Sequence, residues 1–341
     1  MIPVAILGAG HWGPNFVRNF HRSQQTQVLW VIDPDSSRLQ QVQIRFPDIS
    51  LSSDPREAIN DPRVEAVVIA TPTSTHYELA KAALLARKHV LLEKPIATRV
   101  DHARELCELA DKFERILLVG HLFLYNGAVQ RVKDFLKEGT LGRVYYISMV
   151  RTNLGPIRID VNAAWDLASH DISIANYWLG TEPLSASAIG GSWINANIQD
   201  AVFATLRYPN EVLVTLHASW LNPRKARHIT VVGERRMLTC DDMELTEPIR
   251  LYDKQVTDSY TKPAFVDTFA SFRSSVREGD ILIPRVTVGE PLKRECDDFI
   301  ESIRTGKQPL TGGLEGVAVV RVLEAIQRSI RASGREEKVI S

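Results

Sequence analysis

The residues best suited to chemistry lie at the start of the chain, where the apolar run Val4-Ala5-Ile6-Leu7 leads into Gly8-Ala9-Gly10-His11-Trp12-Gly13. Gly8 permits a tight turn from strand to helix, and Gly10 lets a diphosphate approach the backbone. Gly13 allows the helix to pack closely on the sheet. The helix N-terminus adds unpaired N–H groups and partial positive charge. The pattern therefore predicts a dinucleotide site.

A carboxylate follows at the spacing that such a site requires. A second apolar run, Val28-Leu29-Trp30-Val31-Ile32, ends in Asp33, twenty residues beyond Gly13. An acid at this position accepts hydrogen bonds from the ribose hydroxyls, and its charge repels a 2′-phosphate. We therefore expect NAD rather than NADP. The alternative is that Asp33 only begins the Asp33-Pro34 turn.

A lysine follows the apolar run Val90-Leu91-Leu92, within Glu93-Lys94-Pro95. At a strand end of a dinucleotide-binding domain, Lys94 would point toward the nicotinamide and could donate a proton or hydrogen bond to a reacting oxygen. An ordinary lysine, with a pKa of about 10.4, is a poor base near neutral pH, but partial desolvation beside a positively charged ring lowers that pKa. Pro95 restricts the backbone of Lys94 to extended conformations. The alternative is a surface ion pair.

A carboxylate and an imidazole are four residues apart in Trp165-Asp166-Leu167-Ala168-Ser169-His170-Asp171. On a helix this spacing places Asp166 and His170 on one face. A carboxylate in contact with an imidazole fixes its tautomer and orientation, as a catalytic histidine requires. Apolar residues after His170 indicate a partly buried helix, which favours this interpretation over an exposed ion pair.

The elements that must position these residues alternate between strand and helix over the first 120 residues. Near-continuous apolar runs are typical of parallel strands buried on both faces. Repeated β-α-β units with short loops predict an α/β fold with a doubly wound parallel sheet, whose ligands bind at the carboxyl ends of the strands. Gly8, Asp33, Thr71 and Lys94 all follow predicted strands, so we expect them at one rim.

The pattern changes after about residue 122. A helix over 126–138 and a strand over 144–150 precede a polar loop. Apolar runs from Leu184 onward predict a largely antiparallel sheet, with one face packed on helices and the other available for subunit contact. Two helices, over 291–305 and 313–332, are expected at the end of the chain.

Length and composition fit a two-domain globular protein. The 341 residues are 44% hydrophobic and 24% charged, which is enough for two cores. We predict a dinucleotide-binding Rossmann domain over 1–122 and an α+β domain over 123–341 for substrate binding and oligomerisation; the last helix can pack back on the first domain. Lysine plus arginine and aspartate plus glutamate each total 41, so no global charge favours nucleic acid or an anionic membrane.

Targeting and cysteine patterns indicate a cytoplasmic protein. No apolar run reaches transmembrane length, and the N-terminus runs directly into the first predicted strand, Ile2–Leu7, without a signal peptide. Cys107, Cys240 and Cys296 are far apart and lack zinc-binding spacing. We therefore predict buried, unpaired thiols and no metal site.

Together these motifs resemble the glucose–fructose oxidoreductase/inositol dehydrogenase (Gfo/Idh/MocA) family over essentially the whole chain. The resemblance rests on the glycine turn, the Asp166/His170 pair, and the runs Ala70-Thr71-Pro72-Thr73-Ser74-Thr75-His76 and Lys88-His89-Val90-Leu91-Leu92-Glu93-Lys94-Pro95. It implies a Rossmann domain followed by a domain whose open sheet forms oligomers, either a homodimer or a homotetramer. It also implies hydride exchange between nicotinamide and a sugar or cyclitol carbinol, catalysed by Lys94, Asp166 and His170.

The predicted cofactor contacts come from the glycine turn, three strand ends and the tryptophan before Asp166. They are Gly8, Gly10, His11, Trp12, Gly13, Asp33, Arg38, Thr71, Pro72, Thr73, His76, Glu93, Lys94 and Trp165.

Two further segments, 119–126 and 151–162, look like family members that act on nucleotide-linked sugars. The most similar pattern is that of bacterial 3-dehydrogenases of UDP-N-acetylglucosamine and its uronic acid, which serve surface-polysaccharide and lipid A pathways. Arginine forks suit a diphosphate or carboxylate, and tyrosine and asparagine can bind sugar hydroxyls or an N-acetyl group. The alternative is that these are solvated loop residues. The predicted substrate contacts are Lys94, Tyr125, Asn126, Arg151, Asn153, Arg158, Asn162 and His170.

The expected reaction transfers the C3 hydride of the sugar to nicotinamide while Lys94 or His170 takes the hydroxyl proton and Asp166 holds His170. The residue types do not decide which of the two is the base. Three alternatives stay open: a dehydrogenase or reductase of inositol, a free sugar or a ketosugar; an NAD-dependent glycosidase without net redox; and a ligand-sensing regulatory protein. The last of these predicts a missing lysine or histidine, and both are present.

Overall fold

The computed structural model describes residues 1–256, 276–277, 279–287 and 289–340. The chain divides into two compact units. Unit 1 comprises residues 1–126, residues 289–324 and the chain end from residue 340. Unit 2 comprises residues 325–339 and the described residues from 127 to 287.

Unit 1 is built on a six-stranded parallel sheet in the order β3-β2-β1-β4-β5-β6. Its strands are β1 Ile2–Leu7, β2 Thr26–Ile32, β3 Ser50–Ser52, β4 Ala66–Ile69, β5 His89–Glu93 and β6 Leu117–Gly120. Helices follow consecutive strands, and they are α1 Gly13–Arg22, α2 Ser36–Arg45, α3 Pro55–Asn60, α4 His76–Leu85 and α5 Val100–Lys112. This is the predicted doubly wound α/β arrangement.

Local chemistry explains where these elements begin. Every residue of β4 is buried, which is what a central parallel strand requires of its apolar run. Helix α2 begins after Asp35, whose side chain accepts the Ser37 N–H, and α3 begins after Asp54, which accepts the Arg56 N–H. Such side-chain caps satisfy backbone donors that have no partner within the helix.

The C-terminal helices are α8, Pro291–Thr305, and α9, Gly313–Arg331. The apolar face of α8 shares one buried cluster with α1, and the rings of Phe20 and Phe299 meet edge-on at 6.5 Å. Residues 289–324 therefore belong to unit 1, whereas the sequence places them in a domain over 123–341. The difference arises because α8 buries its amphipathic face on the dinucleotide-binding unit.

Unit 2 is built on a nine-stranded sheet in the order β16-β13-β12-β11-β7-β10-β9-β8-β17. These strands are β7 Val144–Leu154, β8 Ser185–Gly191, β9 Ala201–Arg207, β10 Leu213–Ser219, β11 Leu221–Gly233, β12 Met237–Asp241, β13 Ile249–Tyr252, β16 Ile281–Leu282 and β17 Glu337–Lys338. The β7–β10 pair is parallel and the other pairs are antiparallel. Two short strands, β14 Gln255–Val256 and β15 Val276–Arg277, form a separate pair.

The described part of unit 2 contains α6, Gly127–Lys137, and α7, Ser169–Leu179, and it also includes the end of α9. Directly before α7 the chain forms one turn of π-helix, Ala164–Ala168. The helix predicted to carry both Asp166 and His170 is thus a π turn followed by an α-helix. None of the helices in the described ranges is both long and apolar enough to cross a bilayer.

Side chains alternate between the two faces of the large sheet. One face is covered, and a row in register across five strands is buried there: Ala188, Ala204, Leu216, Met149 and Ile229. The opposite face carries an open row of partly or largely exposed side chains: Ile189, Phe203, His217, Val150 and His228. The period of two is that of a sheet with one solvated face.

Candidate functional site

The rim of the parallel sheet in unit 1 gathers the predicted cofactor residues. Leu7, Ile32, Ile69, Leu92 and Val119 form one row in register across β2, β1, β4, β5 and β6. The residues that come next along each strand are therefore level with one another at the carboxyl edge. They are Gly8, Asp33, Ala70, Glu93 and Gly120, with Thr71 and Lys94 one residue further on.

The glycine turn has the shape of a diphosphate cradle. Gly8 adopts a φ of 97°, and a Cβ there would lie 2.5 Å from the carbonyl oxygen of Ala70. A Cβ on Gly13 would lie 2.0 Å from the Gly8 carbonyl oxygen, so neither position accepts a side chain. In front of Gly10 the space is open, since the nearest atom to an ideal Cβ is Nη1 of Arg38 at 3.7 Å. The residues present therefore fit a dinucleotide whose diphosphate lies on the turn.

Asp33 is buried beneath this turn. Its Oδ2 accepts the Ala9 N–H at 2.7 Å and its Oδ1 accepts the Asp35 N–H at 2.9 Å. The half-exposed Arg38 reaches the same carboxylate, with Nη1 3.5 Å from Oδ2. Asp33 thus braces the glycine turn, and its predicted contact with ribose stays a prediction.

The loop after β4 is tied to the loop after β5 by a histidine. Both ring nitrogens of the buried His76 face carbonyl oxygens: Nδ1 lies 2.8 Å from that of Pro95 and Nε2 lies 3.0 Å from that of Thr71. Thr75 supports the same loop by donating its hydroxyl to the Pro72 carbonyl at 2.8 Å. His76 therefore positions the loop that contains Lys94.

Lys94 is partly buried directly after β5, and the Lys94–Pro95 peptide bond is cis. The side chain of Glu93 turns back so that Oε2 accepts the backbone N–H of Lys94 at 3.1 Å. Burial raises the pKa of Glu93 to about 7, against the opposing effect of the Lys94 charge. A carboxyl group that titrates near neutral pH thus adjoins the predicted catalytic lysine.

In unit 2, Asp166 lies in the π turn and His170 in the first turn of α7. Oδ1 of Asp166 accepts a hydrogen bond from Nη1 of Arg158 at 3.3 Å, and Oδ2 accepts one from Nε1 of Trp220 at 3.0 Å. Trp220 is completely buried, so its indole fixes the carboxylate from a rigid position.

The two arginines predicted to bind substrate both have carboxylate partners. Arg158 is partly exposed and pairs with Asp160 at 2.6 Å as well as with Asp166, and its hydrogen bonds hold the pKa of Asp160 below the usual value. Arg151 is buried, and its Nε and Nη2 bond Oδ1 of Asp171 at 2.9 and 2.7 Å. Burial raises the pKa of Asp171, although the Arg151 guanidinium opposes that shift.

The amide and phenol groups predicted to bind substrate also have protein partners. Tyr125 is buried and donates its hydroxyl to Asp298 at 2.7 Å. The Asn162 amide donates to Gln199 and Gln327, while its carbonyl oxygen accepts the N–H groups of Ala164 and Trp165 and so caps the π turn. The Asn153 amide donates to the Gly155 carbonyl, and Asn126 is partly buried. Substrate contact by these residues stays a prediction.

Sequence reasoning missed Trp220 and Asp171, which form hydrogen bonds with the predicted site residues Asp166 and Arg151. Trp220 is 54 positions from the carboxylate that it holds, so no local pattern points to it. Asp171 follows His170 directly, but only the hydrogen bonds of the folded chain show that it pairs with Arg151. No group of three or more His, Cys, Asp or Glu side chains in the described ranges is arranged to hold a metal ion.

Comparison with known proteins agrees with this geometry. Residues 2–121 match the Gfo/Idh/MocA oxidoreductase family with its NAD-binding Rossmann fold, and residues 129–239 match the Gfo/Idh/MocA C-terminal domain. An uncharacterised oxidoreductase of Escherichia coli, YdgJ, is 30% identical over 246 residues, which cover 69% of each chain. The chain belongs to the Gfo/Idh/MocA family, and it is an oxidoreductase of CH–OH groups with NAD as its cofactor.

Two relatives are named for different alcohols. UDP-N-acetylglucosamine 3-dehydrogenase of Acidithiobacillus ferrooxidans is 24% identical over 96% of both chains. A solved structure of that enzyme has a TM-score of 0.80 and covers 97% of this chain and 98% of its own. Myo-inositol 2-dehydrogenase of Thermotoga maritima is 23% identical over 99% of both chains. At these identities the structural likeness shows the fold and leaves the substrate open.

Proposed function

We propose that the protein is an NAD-dependent dehydrogenase of a nucleotide-linked sugar, acting on the C3 carbinol of a UDP-N-acetyl sugar. The main support is the carboxyl edge of the parallel sheet in unit 1, where the glycine turn, Asp33 and the Glu93-Lys94-Pro95 motif follow neighbouring strands in register. A relative named for UDP-N-acetylglucosamine that aligns with 96% of this chain supports the choice of substrate class.

Each site residue has a role in this proposal. The Gly8–Gly13 turn and the N-terminus of α1 hold the cofactor diphosphate, and Asp33 holds a ribose. When bound at this turn, NAD would supply the hydride acceptor for the oxidative direction. Lys94 and His170 share the hydroxyl: one removes its proton and the other polarises the oxygen. Asp166, held by Trp220 and Arg158, keeps His170 in its productive tautomer.

The burial of the two arginines separates their roles. Arg151 is enclosed with Asp171, whereas Arg158 is partly exposed at the edge of the π turn. We therefore assign the diphosphate or uronic carboxylate of the substrate to Arg158, which would exchange Asp160 for the incoming anion. A guanidinium fork binds either group through two parallel hydrogen bonds.

A second candidate function is oxidation of inositol or another free polyol. It is favoured by the myo-inositol 2-dehydrogenase that aligns with 99% of this chain. A free polyol has no anionic group for an arginine to bind. In this second function Arg158 would therefore serve only to hold Asp166. A glycosidase that uses NAD only transiently is a weaker candidate.

We also propose that the protein is a homodimer or homotetramer that associates through the open face of the large sheet. Beside the row with Ile189 and Phe203, that face carries a row of hydroxyl side chains in register: Ser187, Thr205, Thr215, Ser148 and Thr230. Apolar and small hydroxyl groups without acidic side chains in these two rows are suited to burial against a second sheet.

A single-turnover measurement tests the choice of substrate. Stoichiometric enzyme and NAD are mixed separately with UDP-N-acetylglucosamine, its uronic acid, myo-inositol and glucose, and near-ultraviolet absorbance reports reduced nicotinamide. Stoichiometric enzyme matters because tightly held cofactor hides chemistry in a steady-state assay. We expect the absorbance to rise with one UDP-sugar alone, and this rise should be lost in Lys94→Met.

Each other outcome has a definite meaning. A rise with myo-inositol alone establishes the second candidate function. A flat trace with every compound, from protein shown to bind NAD, contradicts oxidation of these substrates and directs attention to the reductive direction. Release of free sugar without net reduced cofactor indicates the glycosidase.

A further inference from the structure

Asn162 lies just before the π turn that carries Asp166, and its side chain is buried. Its carbonyl oxygen accepts two backbone N–H groups of the turn, at 3.1 and 3.2 Å. Its amide nitrogen donates to the side-chain oxygens of Gln199 and Gln327, at 2.9 and 2.7 Å. An asparagine side chain has two donor hydrogens and two acceptor lone pairs, and all four are used here. Asn162 therefore has no hydrogen-bonding capacity left for a substrate.

Gln199 holds the start of the turn at a second point, through its backbone. Its carbonyl oxygen accepts the N–H of Ala163 at 2.9 Å. Its side chain passes close to the end of β8, because an ideal Cβ on Gly190 would lie 2.8 Å from Cγ of Gln199. Gly190 thus leaves the space that this side chain occupies. Gln199 fixes both Asn162 and Ala163, the two residues that lead into the π turn.

The next residue, Asp200, anchors Gln199. Asp200 is completely buried, and its Oδ2 accepts the N–H groups of Trp193 and Ile194 at 2.6 and 2.8 Å. Its own N–H donates to the carbonyl oxygen of Gly191 at 2.8 Å. A buried carboxylate that accepts backbone N–H groups makes strong, charge-assisted hydrogen bonds. The chain on either side of Gln199 is therefore held firmly to the end of β8.

Asp200 also connects Gln199 to the other support of Asp166. The carbonyl oxygen of Asp200 accepts the Trp220 N–H at 3.0 Å, and the Trp220 indole donates to Oδ2 of Asp166 at 3.0 Å. Two hydrogen-bonded routes thus lead from residues 199 and 200 to Asp166. One passes through Asn162 to the backbone of the π turn, and the other passes through Trp220 to the carboxylate.

We propose that Asn162 and Gln199 are positioning residues, which set the geometry of Asp166 for the reaction and do not contact the substrate. The inference rests on the proposed function, in which Asp166 holds His170. This role takes the place of the substrate contact that the sequence predicts for Asn162. Misplacing a catalytic group by about 1 Å can lower the rate by about 10²-fold. A positioning residue therefore acts on kcat, whereas loss of a simple substrate contact raises KM.

Nuclear magnetic resonance of the protein without substrate tests the positioning. The indole N–H signal of Trp220, assigned by its loss in Trp220→Phe, reports the hydrogen bond to Asp166. Gln199→Met keeps the length of the side chain but removes the acceptor for Asn162, so the Trp220 signal should shift. Gln199→Glu retains an acceptor oxygen and should return the signal toward its wild-type position. Gln43→Met, at an exposed position on α2, is the matched control and should leave the signal unchanged.

Kinetics with UDP-N-acetylglucosamine and NAD then test the consequence for catalysis. Gln199→Met and Asn162→Ala should each lower kcat by about tenfold or more, with the KM of the sugar and the affinity for NAD unchanged. Gln199→Glu should recover most of the loss. Because the two residues act through one shared hydrogen bond, adding Gln199→Met to Asn162→Ala should lower kcat no further than Asn162→Ala alone.

Each contrary result has a definite meaning. A Trp220 signal that is the same in the wild type and in Gln199→Met overturns the positioning, and this measurement needs no turnover. A raised KM with unchanged kcat in Asn162→Ala makes Asn162 a substrate contact, which also overturns the positioning. Absence of turnover by the wild type, or normal turnover in Lys94→Met, counts against the proposed function alone, because the Trp220 signal still decides on the positioning.

Discussion

Among single residues, Lys94 offers the most direct test of the proposed catalytic mechanism. Replacing it with methionine keeps the aliphatic stem and removes the amine. We expect kcat to fall at least about 10²-fold, because a positioned acid or base contributes about 10²–10⁴-fold. NAD affinity, measured by fluorescence titration, should survive, since the glycine turn is untouched.

A surface lysine provides the control for this substitution. Lys81 pairs with Glu105 on the outside of unit 1, and Lys81→Met should leave kcat unchanged. Near-normal turnover in Lys94→Met would remove Lys94 from the catalytic assignment.

Asp33 allows a test of cofactor choice. Because its oxygens also accept the Ala9 and Asp35 N–H groups, Asp33→Ala removes both a charge and a support of the turn. We expect this variant to bind NAD more weakly and to discriminate less against NADP. Asp33→Asn retains one acceptor oxygen, so it should lose discrimination with a smaller loss of NAD affinity. The ratio of NAD to NADP dissociation constants measures both effects, and an unchanged ratio in both variants contradicts the ribose role.

From the sequence, the kind of ligand that a residue type suits could be predicted better than the partner that each side chain contacts in the fold. Gly8 and Gly13 could be assigned from the sequence because backbone geometry alone excludes a side chain there. The ion pair of Arg151 could not be assigned, since a guanidinium suits a substrate anion and a buried aspartate equally well. Only the fold decides between such partners.

At the scale of elements, the Arg151–Asp171 pair fastens the first turn of α7 to strand β7. Removing one partner of a buried ion pair costs about 3–5 kcal/mol, because the other charge stays buried and unpaired. Arg151→Leu should therefore lower the free energy of unfolding by this amount, and kcat should fall with the displacement of His170. Adding Asp171→Leu should recover part of the stability.

An exposed ion pair is the control for that measurement. Arg143 lies 3.1 Å from Glu211 on the surface of unit 2, and Arg143→Leu should cost less than about 1 kcal/mol. Chemical denaturation of the variants decides the matter. Equal effects of Arg151→Leu and Arg143→Leu would show that the buried pair does not hold α7.

Helix α8 should make stability depend on pH through Glu295. The unfolded chain releases the Glu295 proton above its ordinary pKa of 4.5, whereas burial raises the pKa in the folded protein. The folded state therefore binds more protons, and its stability falls by up to about 1.4 kcal/mol per pH unit as the pH rises. Glu295→Gln lacks this dependence, so its free energy of unfolding should rise relative to the wild type between pH 5 and the folded pKa. A constant difference would show that Glu295 is ionised when folded.

Elements with strong periodicity were predicted well, and those fixed by tertiary contacts were not. The apolar runs of β1, β4 and β5 and the amphipathic span of α8 follow directly from side-chain period. The π turn that carries Asp166 does not, because it depends on the Asn162 cap and on Trp220, which lies in a distant part of the chain. The return of α8 to unit 1 likewise requires knowledge of the α1 surface that it covers.

For the whole molecule, the surface best suited to self-association is the open face of the large sheet. The chain has 41 basic and 41 acidic residues, so its net charge provides no long-range attraction between two copies. The exposed row is different, because Phe203 stacks on His217 at 4.4 Å and remains 47% exposed, and Ile189 beside it is 59% exposed. Burial of this row against a second copy would remove apolar area from water.

Self-association through this face predicts a sharp effect of one charge. In Phe203→Glu a carboxylate would replace the largest apolar side chain of the row and would be buried without a partner in the assembly, which is strongly unfavourable. We expect the wild type to sediment as a dimer or tetramer and Phe203→Glu to sediment as a smaller species with unchanged far-ultraviolet circular dichroism. Leu314→Glu, at an exposed apolar position in unit 1, should retain the wild-type assembly. A wild type that sediments as a monomer, or a Phe203→Glu variant with the wild-type mass, would show that the open face of the sheet is not the interface.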